Sequence, residues 1–600
     1  MSAARDPAAR DLFGLFGALQ AFYLFGTRQR FSVLFWADWE AWPAVALLWL
    51  EGLLLAGAAF LLFRWVFSRT EAASAGTPSA PSRLHWLAAA AVAVAGTALR
   101  FSFAADVPPG SWCDVFYEIE PVLRSPVPPS WIGGTVYAGA SEGTRVMVSN
   151  LYLLFARAVL ALFGRSQEGI AAISLLPSAL TLPAVFWLGL ETSGPRVALV
   201  ALTLTAFSRW PLVFSGWTWT GALLLPLALS AGAAAARAYR LRSGSWAAAS
   251  GLLLGLALHT HPSAWSIAGG FALFALLSVR ATGPLVPAVA LGAALAALAP
   301  FAAAYRTHPD RLGGRALDVG VASRVQDASA PQAGGRLGVG ARLLYNFFEY
   351  TGCLLFTSDP NPRHGLPGRS AVTPLVGFAA LTGLALSLRR AARGSAPDRL
   401  LLCIALGSLL AGVFSNPGGA PNTFRTIVLM GPVFLAAAVS LVGWFDLTLA
   451  KRGARPAAVA GLGVALLLST ETSDALVRWP ALPIVRRAFC PDESVLGPLR
   501  ASLADGPTLL EPGALPHPVV FETLSSPADP AVVVRRLPRE SSGTLLIAPP
   551  RSPFWYVANE DALARLRRAG WRVGRGIGAR IPSQRGPVIA RVVPPPAAGR

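Results

Sequence analysis

The sequence predicts an α-helical polytopic membrane protein with roughly 11–13 transmembrane helices and a small soluble α/β domain at the C-terminal end. Three observations lead there. Apolar residues make up 54% of the 600 positions, against 14% charged. They stand in long blocks instead of recurring on one helix face, as they would along the surface of a soluble protein. Beyond about residue 470 the blocks shorten, prolines multiply and short apolar runs flank a helical pattern.

The candidate spans are 43–66, 86–104, 149–163, 170–190, 197–208, 222–236, 246–258, 266–277, 284–304, 375–388, 400–414, 427–444 and 457–468. A helix needs ~20 apolar residues to cross the hydrocarbon core, so the shorter blocks must tilt little, borrow flanking aromatics or re-enter without crossing. Ahead of them, residues 2–30 set Leu12, Phe13, Leu15, Phe16 and Leu19 on one side of an interfacial helix, and no cleavable signal sequence is expected. In the tail, strand-like runs at 518–522, 543–548, 571–576 and 587–593 surround a helical pattern at 560–569, which predicts the α/β domain.

The formal net charge is +20, nearly all from arginine, with Lys451 the one lysine. In a soluble protein that excess would point to nucleic acid. On a chain of membrane blocks it follows from basic cytoplasmic linkers and from surfaces that meet anionic head groups, so membrane lipids are expected as partners and nucleic acid is not. Four basic clusters set the orientation: Arg64, Arg69 and Arg83; Arg237, Arg240 and Arg242; Arg389, Arg390, Arg393 and Arg399; Lys451, Arg452 and Arg455. With all four in the cytoplasm, loops 105–147, 306–372 and 415–424 face outward, and so does the tail. The expected location is the inner (plasma) membrane of a bacterium. One conflict remains in the count. Seven blocks separate the first two outer loops, and only an even number of crossings keeps both on one side, so one block there is re-entrant or merges with a neighbour. The expected organisation is 1–85 for the interfacial helix, an extra span and a basic linker, 86–470 for the central membrane domain, and 471–600 for the extracytoplasmic α/β domain. Cysteines 113, 353, 403 and 490 are too scattered for a disulfide framework; free thiols are expected, with one outer bridge as the alternative.

The block at 86–104 runs into Pro108-Pro109-Gly110-Ser111-Trp112-Cys113-Asp114. Turn residues stop the helix at the membrane surface, and a carboxylate follows at once. An acid there is costly unless it pairs or works, which makes Asp114 the leading catalytic candidate; a solvated loop acid is the plain alternative. Glu118 lies four residues on and would share its face in a helix. Such a pair could deprotonate a hydroxyl or bind a divalent cation, although nothing in the sequence requires one. The second long loop holds His308-Pro309 and Arg315, then ends in Asp359-Pro360-Asn361-Pro362-Arg363-His364-Gly365-Leu366-Pro367-Gly368-Arg369. Guanidinium groups at a membrane surface suit phosphate oxygens, with lipid head groups as the competing partner. Pro421-Asn422-Thr423-Phe424-Arg425 sets Arg425 at the mouth of the next span, where a cation usually has a partner. His259-Thr260-His261 fits hydrogen bonding between helices better than metal binding. There is no Walker loop, Rossmann glycine pattern, zinc spacing or nucleophile elbow, so ATP hydrolysis is not expected.

These pieces, in this order, resemble the GT-C superfamily of polytopic membrane glycosyltransferases, in its protein-mannosyltransferase-like and aminoarabinose-transferase-like branch. The resemblance rests on Pro108 to Asp114, Leu162-Phe163-Gly164-Arg165-Ser166, Phe207-Ser208-Arg209, Gly251 to Ala257, Asp359 to Gly368 and Pro421 to Arg425, with His308-Pro309 a looser match. It implies an enzyme that takes a sugar from a polyprenyl-phosphate carrier on the outer face and passes it to a protein, lipid or glycan acceptor. It further implies that Asp114 is the acid that deprotonates the acceptor or organises the site, helped by Glu118. Arg425, Arg363 and His364, with His308 and Arg315, would hold the substrate and its phosphate. One departure stands out: Val115 follows Asp114 where relatives often carry a second acid. A transporter or lipid flippase, or a non-catalytic membrane scaffold, would also present many spans, but the first usually shows internal repeats and none is visible here.

Overall fold

The computed structural model describes residues 80–104, 106–110, 122, 133–138, 145–164, 167–307, 339–355, 359, 361–415, 422–452 and 454–489. In the tail it describes 508–510, 534–536, 554–558, 560–568, 571–573, 577–578 and 588–593. The expected interfacial helix at 2–30, the span at 43–66, Asp114, Glu118, His308, Arg315 and the tail strands at 518–522 and 543–548 lie outside these residues.

Among the described residues, nine helices are long and apolar enough to cross a membrane and three further apolar helices are shorter. In chain order the membrane part runs α1 (Arg83–Ser102), a hairpin of β1 (Gly134–Ala138) and β2 (Arg145–Ser149), then α2 (Asn150–Phe163), α3 (Gln167–Thr192), α4 (Pro195–Phe207) and the short α5 (Arg209–Val213). It continues with α6 (Leu224–Leu241), α7 (Gly244–Leu258), α8 (Ser263–Thr282), α9 (Leu285–Thr307), α10 (Val339–Leu355), α11 (Pro374–Ala392), α12 (Ala396–Val413), α13 (Met430–Arg452) and α14 (Ala454–Ser473). Local chemistry sets the joints. Pro195 and Pro374 open α4 and α11, where a missing N–H costs nothing. Gly194 and Gly283 turn the chain at φ of 90° and 76°, a conformation that side chains resist.

The joints alternate between two ends of the bundle. One end gathers the tight turns after α3, α6, α8, α11 and α13 and their arginines, among them Arg237, Arg240, Arg242, Arg389, Arg390 and Arg393. Glu191 there pairs with Arg237 at 3.2 Å and Arg240 at 2.7 Å, and Asp398 pairs with Arg390 at 3.0 Å. The other end gathers the described segments 208–223, 259–262, 361–373 and 422–426, with Asp359 and Ser415.

This alternation identifies the block that does not cross. At its start, Ser149 Oγ hydrogen-bonds His259 Nδ1 at 2.8 Å, just beyond α7. At its finish, Phe163 stacks on Phe101 at 6.1 Å, in the last turn of α1. Both ends of α2 therefore sit at the same end of the bundle. The expected span at 149–163 is corrected to a surface helix packed on α3, and the six helices between the two long loops then form an even number of crossings. The short block was misread because an apolar 14-mer looks the same lying flat or crossing.

Small residues let the helices close on one another. A Cβ on Gly251 would collide with the Ala290 carbonyl, and one on Gly255 would lie 2.5 Å from the Ala294 carbonyl. The Gly251 to Gly255 spacing thus forms a flat strip against α9, the usual device where lipid removes the hydrophobic drive between helices. The end of the bundle extends past the expected boundary at 471. α14 runs on to Ser473 and a π-helical turn follows at Asp474–Arg478, with Glu471 fully buried and Asp474 nearly so.

In the tail, β3 (Thr508–Leu510), β4 (Val534–Arg536), β5 (Phe554–Ala558), β6 (Arg572–Val573), β7 (Ile577–Gly578) and β8 (Val588–Val593) form one mixed sheet. Helix α15 (Glu560–Arg568) buries Ala562, Leu563 and Leu566 beside Trp571 and Val592.

The sidedness of α2 is testable without knowing which face is cytoplasmic. Cysteines placed at Gln167 and Arg369 are expected to react with an impermeant thiol reagent from one side of the membrane, and one placed at Arg393 from the other. A crossing α2 would make position 167 label together with 393.

Candidate functional site

The sequence motif that leads to Asp114 is anchored deep in the site end. Val107 is 2% exposed and belongs to the main core, and Pro108 and Gly110 are buried. The contact is backbone to backbone: a Cβ on Gly216 would collide with the Val107 carbonyl oxygen. The turn is thus pressed onto the segment after α5, four residues ahead of Asp114.

That segment supplies an aromatic floor. Phe424 lies at its centre, with ring centroids 4.0 Å from Trp219, 4.8 Å from Trp217, 5.3 Å from His261, 5.8 Å from His364 and 6.3 Å from Phe214. The rings come from three separate joints and from the turn before α13, so their packing fixes those joints relative to one another. Offset and edge-to-face ring pairs add attraction beyond simple burial.

Asp359 ties the second long loop to this floor. Its buried carboxylate accepts hydrogen bonds from Thr423 N at 2.7 Å, Thr423 Oγ1 at 2.9 Å, His364 Nδ1 at 2.9 Å and Asn361 N at 2.9 Å. Charge-assisted bonds of this kind are roughly twice as strong as neutral ones. Asn361 in turn accepts from both the backbone N and the Nε of Arg363, at 3.1 and 3.2 Å. One acid thereby sets the imidazole directly and the guanidinium through its neighbour.

A second set of buried charges holds the same loop from behind. Arg209 donates from NH1 to Asp474 Oδ2 at 3.0 Å, from NH2 to the Ser370 carbonyl at 2.6 Å and from its backbone N to Glu471 Oε2 at 3.2 Å. Glu471 Oε1 accepts from Thr373 N at 2.7 Å, and Trp479 Nε1 donates to the Pro362 carbonyl at 2.8 Å. Arg100, 2% exposed, has no carboxylate within ion-pair distance among the described residues. It donates to the carbonyls of Thr205 and Ala206 at 2.9 Å, to Gly96 O at 2.8 Å and to Ser178 Oγ at 2.9 Å. Two of these carbonyls are in the last turn of α4, where the helix dipole is negative, so a cation is favoured there.

Of the residues expected from sequence, Arg363, His364 and Arg425 come together in this neighbourhood. His364 stacks on Phe424, and Arg425 follows Phe424 directly, with its backbone N bonded to the Asn422 carbonyl at 3.0 Å. No carboxylate among the described residues lies within ion-pair distance of the Arg425 guanidinium. Its charge reaches Tyr350 on α10, which is not one of the candidate spans; burial pushes that phenol up to about 12 while Arg425 pulls the other way. Arg369 is exposed beside the cleft that His364, Gly365, Ser370 and Thr423 also line. Asp114, Glu118, His308 and Arg315 lie outside the described residues. The sequence reading missed the roles of Asp359, Arg209, Glu471, Asp474 and Arg100. An arginine inside an apolar block was the one visible signal for Arg100; the acid partners of Arg209 lie over 260 positions away and left none.

No known family matches the chain, and no curated protein matches it. Among solved structures it is similar to ArnT from Cupriavidus metallidurans bound to undecaprenyl phosphate, at 12% identity over 85% of this chain and 98% of that one, TM-score 0.49. It is also similar to the oligosaccharyltransferase AglB from Archaeoglobus fulgidus in complex with an inhibitory peptide and a dolichol-phosphate, at 13% identity over 82% of this chain and 69% of that one, TM-score 0.43. A third similar structure is the arabinofuranosyltransferase AftD from Mycobacteria, at 15% identity over 87% of this chain and 40% of that one, TM-score 0.43.

The weight carried by Asp359 can be measured by thermal unfolding in detergent. Removing one partner of a buried charged network leaves the others unmet, so Asp359→Ala is expected to cost about 3 kcal/mol or more. Thr423→Val, which removes one of the four bonds, is expected to cost about 1 kcal/mol. Equal, small losses would show that the carboxylate is not the tie.

Proposed function

We propose that this protein is a membrane glycosyltransferase of the GT-C type, which moves a sugar from a polyprenyl-phosphate carrier to a protein, lipid or glycan acceptor. The observation that carries the reading is the convergence at one end of the bundle. His364 stacks on the aromatic floor, Arg425 follows Phe424 in the same turn, Arg363 and Arg369 come from the His364 loop, and the anchored Val107 to Gly110 turn that leads to Asp114 packs on the segment that supplies the floor. Cations beside an apolar floor at a membrane surface suit a ligand with a phosphate head and a hydrocarbon tail. The order of motifs along the sequence supports the same reading. The basic turns at the opposite end support placing the site on the outer face of the membrane, because short arginine-rich linkers stay in the cytoplasm.

In this mechanism the acceptor hydroxyl or amide gives its proton to Asp114 as its heteroatom bonds to the anomeric carbon of the sugar. The bond from that carbon to the carrier phosphate oxygen breaks, and the electron pair leaves with the phosphate. Arg425 and Arg363 stabilise the charge that gathers there, where a fixed cation in a water-poor site is worth most. Val115 leaves Glu118 as the nearest second acid, available to help orient the acceptor or a divalent cation.

Asp114→Asn is expected to leave expression and detergent stability unchanged and to lower sugar transfer at least ~100-fold, the lower range for losing a general base. Transfer near the wild-type rate would remove Asp114 from the chemistry. Arg425 separates phosphate recognition from simple anchoring. Arg425→Lys keeps the charge but loses the planar fork, so binding of undecaprenyl phosphate by the purified protein should weaken partly, and Arg425→Ala should weaken it strongly. Wild-type binding by both variants would make Arg425 an anchor to ordinary head groups.

A further inference from the structure

We propose that His364 is the proton donor to the departing phosphate oxygen, with Asp359 as the residue that aims it. This rests on the transferase reading above and adds a proton-transfer role to a residue that sequence alone placed among the substrate binders.

The geometry separates the two ring nitrogens. Nδ1 is 2.9 Å from Asp359 Oδ2, and the carboxylate is saturated by three further donors, so Nδ1 carries a hydrogen in the neutral and the protonated ring alike. Nε2 makes no hydrogen bond among the described residues. The ring plane is fixed from three sides: Phe424 stacks on it at 8° between planes, Trp217 meets it edge-on at 5.2 Å, and Phe214 lies 5.9 Å away. A ring held by a carboxylate on one nitrogen and by aromatic faces around it is pre-set to present the other nitrogen in one direction, and aromatic faces tolerate a cation. His364 lines the same cleft as Arg369 and Ser370, which is where an oxyanion would meet it.

Other charged groups face this ring. Arg209, Arg369 and the titratable Cys353 thiol line its cleft, Arg363 precedes it in the loop, and His261 and Arg425 lie beyond and beside Phe424. Arg363, Arg369 and Arg425 help hold the anion, whereas Arg209 is committed to Asp474 and the Ser370 carbonyl. Asp359 is spoken for by its four donors. Among these groups His364 is the one with a ring nitrogen tethered to a carboxylate.

The step balances. As the anomeric carbon–oxygen bond breaks, the electron pair settles on the phosphate oxygen, which takes the Nε2 proton and leaves His364 neutral. Asp114 holds the proton lost by the acceptor. Proton exchange with water returns both groups to their starting forms, so the net products are the glycosylated acceptor and the protonated polyprenyl phosphate. The step needs a hydrogen on both ring nitrogens of His364, so a ring that has lost the Nε2 hydrogen cannot make the donation.

Two substitutions separate this role from phosphate binding and from packing. His364→Asn keeps a donor at the place of Nδ1 for Asp359 but has nothing at Nε2. His364→Gln places an amide N–H near Nε2, which can hydrogen-bond the phosphate but cannot give up a proton. The assay uses purified full-length protein, a panel of synthetic undecaprenyl-phosphate hexoses and pentoses, and undecaprenyl phosphate alone for binding. We expect kcat to fall ~100-fold in His364→Asn with binding of undecaprenyl phosphate changed less than about threefold, and the alkaline limb of the kcat profile to vanish in both variants. A kcat within twofold of wild type, or an alkaline limb that survives in His364→Asn, overturns the proposal. A large loss of undecaprenyl phosphate binding with kcat intact also overturns it, and returns His364 to phosphate holding. If the wild-type protein turns over none of the panel, the transferase reading fails and this proposal with it.

Discussion

The buried carboxylate of Asp359 accepts four hydrogen bonds, and through them the arrangement of the site end is decided. Two of the donors come from Thr423, in the turn that opens the last pair of long helices, and two come from its own loop. Among the described residues that acid makes the polar bonds between the loop carrying Arg363 and His364 and the turn carrying Phe424 and Arg425. The aromatic floor then completes what the carboxylate begins, because Phe424 meets rings from three other joints. A loop is thereby tied to a turn 64 residues away in sequence.

Buried charges elsewhere hold backbone joints as well. Arg209 spans from Asp474 to the Ser370 carbonyl, so it fixes the start of α5 against both the final helix and the site loop. Arg100 does the same for the end of α4, with carbonyls in place of a carboxylate. In a low-dielectric bundle such groups are costly alone and specific when satisfied, which is why they lock the geometry. The π-helical turn at Asp474–Arg478 lies at one of these locks, where such turns commonly serve function.

Much of the fold was legible in the sequence because apolar blocks announce helices by composition alone. The joints of α6, α8, α9, α11 and α13 are a matter of block edges, glycines and prolines. What stayed hidden depended on distance or on backbone. α2 is apolar enough to pass for a short span, and only the Ser149 and Phe163 contacts show that it lies flat. The polar run at Glu471 to Asp474 reads like the start of a soluble tail, whereas it is buried against Arg209, 262 and 265 residues earlier. The β1–β2 hairpin was missed although Val136, Val146 and Val148 alternate with other residues as strand positions do. At the site, sequence pointed to Arg363, His364 and Arg425 by their setting beside membrane blocks, and it could not show that one acid and one phenylalanine gather them.

The central claim is that a polyprenyl phosphate is held at this end of the bundle, with its head group between the 359–369 loop and the 422–425 turn. Photo-crosslinking tests it most directly. Undecaprenyl phosphate carrying a diazirine close to the phosphate would be bound to the purified protein, activated, and the modified peptides located by mass spectrometry. The account predicts modification within 359–369 and 422–426, competed away by unmodified undecaprenyl phosphate. Modification confined to the arginine-rich turns at the opposite end, around Arg240 and Arg393, would contradict it.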